Sequence, residues 1–328
     1  MKAAIVESVG KVVVGEVPDP TPGPREVVVE VAACGLCGTD LHIRQGEFAP
    51  TLPVVPGHEF AGTVVALGRD VRELAAGDRV AVDPSLHCHE CRYCRAGRGN
   101  LCERWAAIGV TKAGGAAQYA VAPAANCVRL PDHVRTQDAA LIEPLSCAVR
   151  GYDVLRSRLG AHVLIYGSGT MGLMMLELAS GPRGERRRGR PQPPAAGDGA
   201  AARCLGVGGR ADELDRPGGW TSVIDATGNA AAIQDGLDRV AKAGTFLQFG
   251  VADYATRVTI DPYRVYNQEI TITGSMAVLH SYERAAELFA AGVLDPEVFI
   301  SDRLPLDDYP RALDQFASGV GRKIVVVP

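Results

Sequence analysis

Cys88, Cys91, Cys94 and Cys102 stand at the spacing C-x2-C-x2-C-x7-C. Four thiolates so close in sequence can surround one zinc ion as a closed tetrahedron with no open position, which is the chemistry of a structural site. Upstream, Cys37 is followed by the pair His58-Glu59. A thiolate, an imidazole and a carboxylate fill three positions on a metal and leave a fourth open, which is the chemistry of a catalytic site. His87 and His89 flank the cysteine lobe and read as surface residues rather than ligands.

The bulk properties fit a two-domain protein. The chain has 328 residues, more than an average domain, and 47% apolar residues, enough for two ordinary cores. The formal charge of −4 is small and no basic stripe is present, so no nucleic-acid partner is expected. No apolar run approaches the roughly 18 residues of a membrane span, and the start of the chain lacks a secretory leader pattern. Nine cysteines in a chain of this kind read as metal ligands and thiols, and the expected compartment is cytoplasmic.

The first part of the chain is rich in short β-type runs, Val12–Val14, Val27–Val31, Gly62–Ala66 and Arg79–Val82, separated by Gly and Pro. From about residue 160 the pattern changes. The apolar strand Val163–Tyr166 leads into Gly167-Ser168-Gly169-Thr170-Met171-Gly172 and then a helical run to Ala179. Strand, G-x-G-x-x-G and helix is the order a dinucleotide-binding fold requires. Gly167 suits the tight turn, Gly169 the approach of a diphosphate, and Gly172 close helix packing. Thr170 and Met171 open the helix, whose positive end would meet the diphosphate. Strands Ser222–Ala226, Thr245–Phe249 and Glu269–Thr273 then alternate with a helix over Ala230–Ala241, which implies a parallel sheet. Thr227 and Gly228 follow the first of these strands, where doubly wound sheets bind their ligand. The tail carries helices near Tyr282–Ala291 and Pro310–Ser318 and a last strand, Lys323–Val327. The expected fold is α/β: a catalytic domain over residues 1–149 with the zinc lobe at about 84–104, a nucleotide-binding domain over 150–274, and a segment 275–328 returning to the first.

One stretch breaks the pattern. Between Gly181 and Arg210 the chain turns Arg-, Pro-, Gly- and Ala-rich, where a dinucleotide fold needs its second strand and an acid about 20 residues past the loop. Residues 185–195 cannot make a buried central strand, because proline removes ladder donors and Arg186-Arg187-Arg188 cannot be buried unpaired. Written in GC-rich codons, one permitted reading of the frame shifted at Gly181 is a strand ending in an acid near Arg190 and Pro191, followed by a helix. We read the segment as a compensated frameshift of a parent that prefers NAD. The rival reading makes the arginines a 2′-phosphate site for NADP.

The order of these motifs (C-G-L-C-G-T-D, G-H-E, the four-cysteine lobe, Glu143-Pro144-Leu145 and the glycine loop) resembles the zinc-containing medium-chain alcohol and polyol dehydrogenases over nearly the whole chain outside 181–210. The resemblance implies a β-rich GroES-like catalytic domain joined to a Rossmann domain with a doubly wound parallel sheet. It implies that Cys37, His58 and Glu59 ligate a catalytic zinc, with Glu143 a fourth ligand or bonded to the zinc water. A glutamate at 143 is similar to the sorbitol and butanediol branch. Cys34, Cys127 and Cys147 are then structural thiols.

By the same resemblance a secondary alcohol, a small polyol or sugar alcohol, gives a hydride to the nicotinamide. Thr39 takes the hydroxyl proton and His42 delivers it to solvent. L-Threonine and aminocyclitols fit the same machinery, and Arg44 is either a substrate contact or a solvent-facing arginine. A non-catalytic zinc- and nucleotide-binding protein is the alternative of another class, because the nucleotide fold is interrupted. The apolar edge strand Glu269–Thr273 implies a homodimer or homotetramer.

Overall fold

The computed structural model describes residues 1–47, 51–157, 161–180, 214 and 216–328. The segment 181–210, with the expected irregularity at 185–195 and both readings of its arginines, lies outside the described residues. Two compact units emerge, one of Met1–Cys147 with Val278–Pro328 and one of Ala148–Ala277.

The first unit is built on a seven-stranded sheet. Its centre is Glu26–Gly35, which pairs antiparallel with Glu59–Leu67, Tyr119–Pro123 and Lys323–Val327. Val27, Val28, Val29 and Val31 are all buried there, with Glu30 alone exposed among them. A near-continuous apolar run is what a strand covered on both faces requires. Phe60, Val64, Val80, Val82, Ile324 and Val326 complete this core, against Tyr309 and Leu313 of the helix Tyr309–Ala317. Full burial of one such side chain stabilises by about 1.5–3 kcal/mol. The last strand sits between Ile300–Pro305 and Glu26–Gly35, with Val325 opposite Gly35 and Val326 opposite Cys34. The end of the chain thus lies inside the sheet that carries the first cysteines.

The second unit holds a four-stranded parallel sheet in the order Val163–Tyr166, Trp220–Asp225, Val240–Gln248, Thr271–Gly274. Leu164, Val223, Phe246, Ile233 and Leu237 form its core. Asn229 starts the helix Ala230–Asp238 by accepting the amides of Ala231 and Ala232, a side-chain cap of the kind that replaces missing intrahelical bonds. That helix ends three residues before the sequence pattern suggests. Arg239 is its C-cap, and Ala243 adopts a left-handed φ of 57° inside the following strand, which begins at Val240. The edge strand likewise starts at Thr271, because Glu269 has φ 51° and cannot be extended. Among the described residues no helix is long and apolar enough to cross a membrane.

Candidate functional site

Ligand atoms of Cys37, His58 and Glu59 lie within 4.8 Å of one another. Local structure explains how each arrives. Cys37 is the N-cap of the helix Gly38–Arg44, and its amide donates to Asp40 Oδ2 at 2.8 Å. Asp40 is buried, and its other oxygen has no hydrogen-bond partner among the described residues. His58 and Glu59 lead into the strand Glu59–Leu67, which pairs with the strand ending at Gly35, so the sheet register brings them to Cys37. His58 and Glu59 are buried while Cys37 is half-buried.

The electrostatics show what this cluster favours. Burial opposes a charge on His58, but Cys37, Glu143 and Asp40 outweigh it and push the imidazole well above its ordinary value. Glu143 is raised to about 7, chiefly by burial and further by Glu59, against the pull of His58 and Lys323. Its carboxyl lies outside the close trio and accepts from Cys147 Sγ at 3.4 Å. His58 Nδ1 is buried with no hydrogen-bond partner among the described residues. A buried carboxyl whose ionisation burial opposes, an imidazole and a thiol together fit a divalent cation, zinc by ligand type.

The four cysteines of the lobe also bring their sulfurs within 4.8 Å of one another. Backbone amides converge on them: Cys91 N on Cys88 Sγ, Cys94 N on Cys91 Sγ, and both Cys88 N and Arg104 N on Cys102 Sγ. Such donors favour thiolates. Amides of Glu90 and Cys91 lower Cys88 to about 5, while burial and the sulfurs of Cys102 and Cys91 raise Cys94 to about 12. A metal cation bound by the four sulfurs would relieve that imbalance. His89 is exposed, and neither it nor His87 joins the sulfur cluster.

In the second unit the glycine loop joins the strand Val163–Tyr166 to the helix Thr170–Ala179. A Cβ on Gly172 would stand 1.8 Å from Gly167 O, and Gly167 has φ 107°, so both positions are closed to other residues. Gly169 is the N-cap, no side chain caps this end, and the space beside Gly169 is open. Thr170, Met171 and Gly172 therefore form a first turn able to meet an anion. Thr227 packs beside Gly167, and buried Asp225 fixes its turn by accepting from Thr227 N, Thr227 Oγ1 and Gly228 N. The loop and this turn thus adjoin at the carboxyl ends of parallel strands.

Residues 23–132 match the alcohol dehydrogenase GroES-like domain. The chain is 36% identical to D-arabinitol dehydrogenase 1 of Uromyces fabae, over 92% of this chain and 90% of that protein. It is 30% identical to an L-threonine 3-dehydrogenase of Aeromonas hydrophila, over 95% and 94%. A candidate zinc-binding dehydrogenase from Sinorhizobium meliloti 1021, solved with NADP, superposes with a TM-score of 0.88 at 32% identity, over 100% of this chain and 99% of that one. The chain belongs to the zinc-dependent medium-chain alcohol and polyol dehydrogenases. It is accordingly an NAD(P)-dependent oxidoreductase with the GroES-like and Rossmann architecture its sequence implied.

Other residues of this dehydrogenase serve the site without an obvious sequence signal. Lys323 Nζ lies 2.7 and 2.6 Å from the two oxygens of Glu59 and 2.8 Å from Leu36 O, all buried. A lysine opening an apolar terminal strand is the only hint of this in the sequence. Asp40 was visible within the C-G-T-D motif, and its cap on Cys37 follows from an acid at the third helical position. Thr39 Oγ1 is 3.7 Å from Cys37 Sγ. His42, on the same helix, meets the carboxylate of Glu47. Arg44 is tied to Asp314 at 2.7 Å, which accounts for its charge without a substrate. Cys34 is fully buried, and Cys127 is partly buried with its thiol on Pro123 O.

Replacing Lys323 by Met leaves Glu59 buried without its counter-charge. The expected loss is about 3–5 kcal/mol, read by denaturant unfolding, together with weaker retention of zinc in metal analysis. The pH response follows from Glu143. Its carboxyl holds a proton in the folded state up to about 7 but gives it up near 4.5 when unfolded. Between those values the folded state binds more protons, so stability falls as pH rises. His58, also raised, acts in the same sense. Chelator-treated protein should therefore melt at lower temperature at pH 8 than at pH 5, and Glu143→Gln should flatten that slope.

Proposed function

We propose that this enzyme oxidises the secondary hydroxyl of a small polyol or sugar alcohol, with NAD as the acceptor. The observation that carries the reading is the largely buried Cys37–His58–Glu59 cluster, with the raised carboxyl of Glu143 coupled to it by charge. Closer identity to an arabinitol dehydrogenase than to a threonine dehydrogenase supports the polyol. The preference for NAD rests on the acidic residue in the shifted reading of 181–210.

Cys37, His58 and Glu59 would hold the catalytic zinc, with Glu143 as a fourth ligand or a water contact, and Cys88, Cys91, Cys94 and Cys102 a structural one. When bound, zinc polarises the substrate hydroxyl and the nicotinamide accepts the hydride. Thr39 Oγ1 receives the hydroxyl proton and His42 carries it toward solvent. Lys323 holds the Glu59 carboxylate in place through both of its oxygens. The first turn Thr170–Gly172 would bind the diphosphate, with Thr227 and Gly228 on the nicotinamide side. Ile272 is 41% exposed on the edge strand Thr271–Gly274, which supports pairing of two copies across a two-fold axis.

Metal analysis should give two zinc ions per chain. His58→Ala should lose one together with turnover while keeping its fold. Cys94→Ser should lose the other and melt at lower temperature. One zinc in the wild type, or the reverse pattern in the variants, would count against the assignment. On a panel of D-arabinitol, other pentitols and hexitols, 2,3-butanediol and L-threonine, a pentitol should give the highest kcat/KM, and NAD should exceed NADP. Thr39→Ala should lower kcat by about 10²-fold or more, and His42→Ala by about 10- to 100-fold. Preference for L-threonine would replace the polyol reading.

A further inference from the structure

We propose that Glu47 is a positioning residue of the proton relay, holding His42 in one tautomer and one orientation. This rests on the relay reading of His42 given above. The helix Gly38–Arg44 ends in two backbone bonds: Gly46 N donates to Ile43 O at 3.0 Å, and Glu47 N donates to His42 O at 2.8 Å. Gly46 has φ 81°. These are the paired bonds of a Schellman motif, with Gly46 as the left-handed residue after the C-cap. Its geometry folds the residue after the glycine back over the residue five positions earlier. Glu47 is thereby placed over His42, and its Oε2 lies 2.5 Å from His42 Nδ1.

Glycine is required at the corner. A Cβ on Gly46 would stand 2.7 Å from Val9 Cγ2, on backbone that already favours glycine. An ionised carboxylate only accepts hydrogen bonds, so Nδ1 must carry the proton and Nε2 is left as the acceptor. A histidine that receives a proton needs a bare nitrogen. The carboxylate supplies one by fixing the tautomer, and its charge faces the imidazolium while the proton is held. Side-chain exposures of 31% for His42 and 51% for Glu47 leave the pair open to water, to which the proton departs.

The test reads the tautomer directly. In full-length protein with ¹⁵N-labelled histidines, the His42 signals are assigned as those missing in His42→Gln. With the ring neutral, wild type should show Nδ1 protonated and Nε2 bare, and Glu47→Leu should shift His42 toward the Nε2-protonated form. An Nε2-protonated ring in wild type, or an unchanged tautomer in Glu47→Leu, would overturn the proposal whether or not any substrate is turned over. With D-arabinitol and NAD, Glu47→Leu should lower kcat on the order of 10-fold, the scale on which an orienting partner of a functional histidine acts. KM should change by less than about twofold, as for an interaction absent from substrate binding. Wild-type kcat in Glu47→Leu would overturn it as well. Wild-type kcat in His42→Gln would remove the relay itself, and with it the role of Glu47, while the tautomer result would stand.

Discussion

One buried ammonium group holds the candidate catalytic centre together. Lys323 binds both oxygens of Glu59 and the carbonyl of Leu36. Leu36 precedes Cys37, and Glu59 follows His58, so a single side chain pins both segments that carry the metal-type ligands. Burying an ion pair is costly, and it stabilises only when its geometry is good and its remaining donors are satisfied. Lys323 has three donors and three short acceptors here. The pairing of Val325 with Gly35 and Val326 with Cys34 delivers the ammonium to that place.

Around this anchor the charges are unbalanced in a useful direction. Cys37, Asp40, Glu59 and Glu143 are all potential anions within one enclosed region, facing one lysine and one histidine. Asp40 and Glu143 are both pushed above the ordinary carboxylate range, chiefly by burial, so negative charge is disfavoured there. A dication bound there would offset that surplus of buried acidic groups. The cysteine lobe meets the same problem by another route, with backbone amides aimed at sulfur.

How much of this was legible in the sequence depends on the range over which each interaction acts. The cysteine lobe and the strand–loop–helix of the cofactor site are short-range patterns whose spacing is itself the geometry, and their elements stand where the motifs put them. The gathering of Cys37, His58 and Glu59 needed a family pattern, since a thiol and a distant His-Glu pair meet only through strand register. Lys323 was illegible because nothing local says which strand its own will join. Glu47 was illegible for a subtler reason: residues five apart do not face each other on a helix, and they meet here only because Gly46 turns the chain back. The early end of the helix at Asp238 and the late start of the edge strand depend on left-handed residues, Ala243 and Glu269, whose side chains give no warning of it.

The partners in the anchoring pair are 264 residues apart in sequence. On the ribosome Glu59 emerges early and is committed to a strand whose counter-ion has yet to be translated. The first unit cannot close around its ligands until the intervening unit has been made and the last strand slots in between two others. During synthesis the nascent sheet carries an open seam beside an acid without its lysine. Neutralisation of Glu59 in the centre is therefore a late event in the life of the chain, coupled to completion of its C-terminal strand.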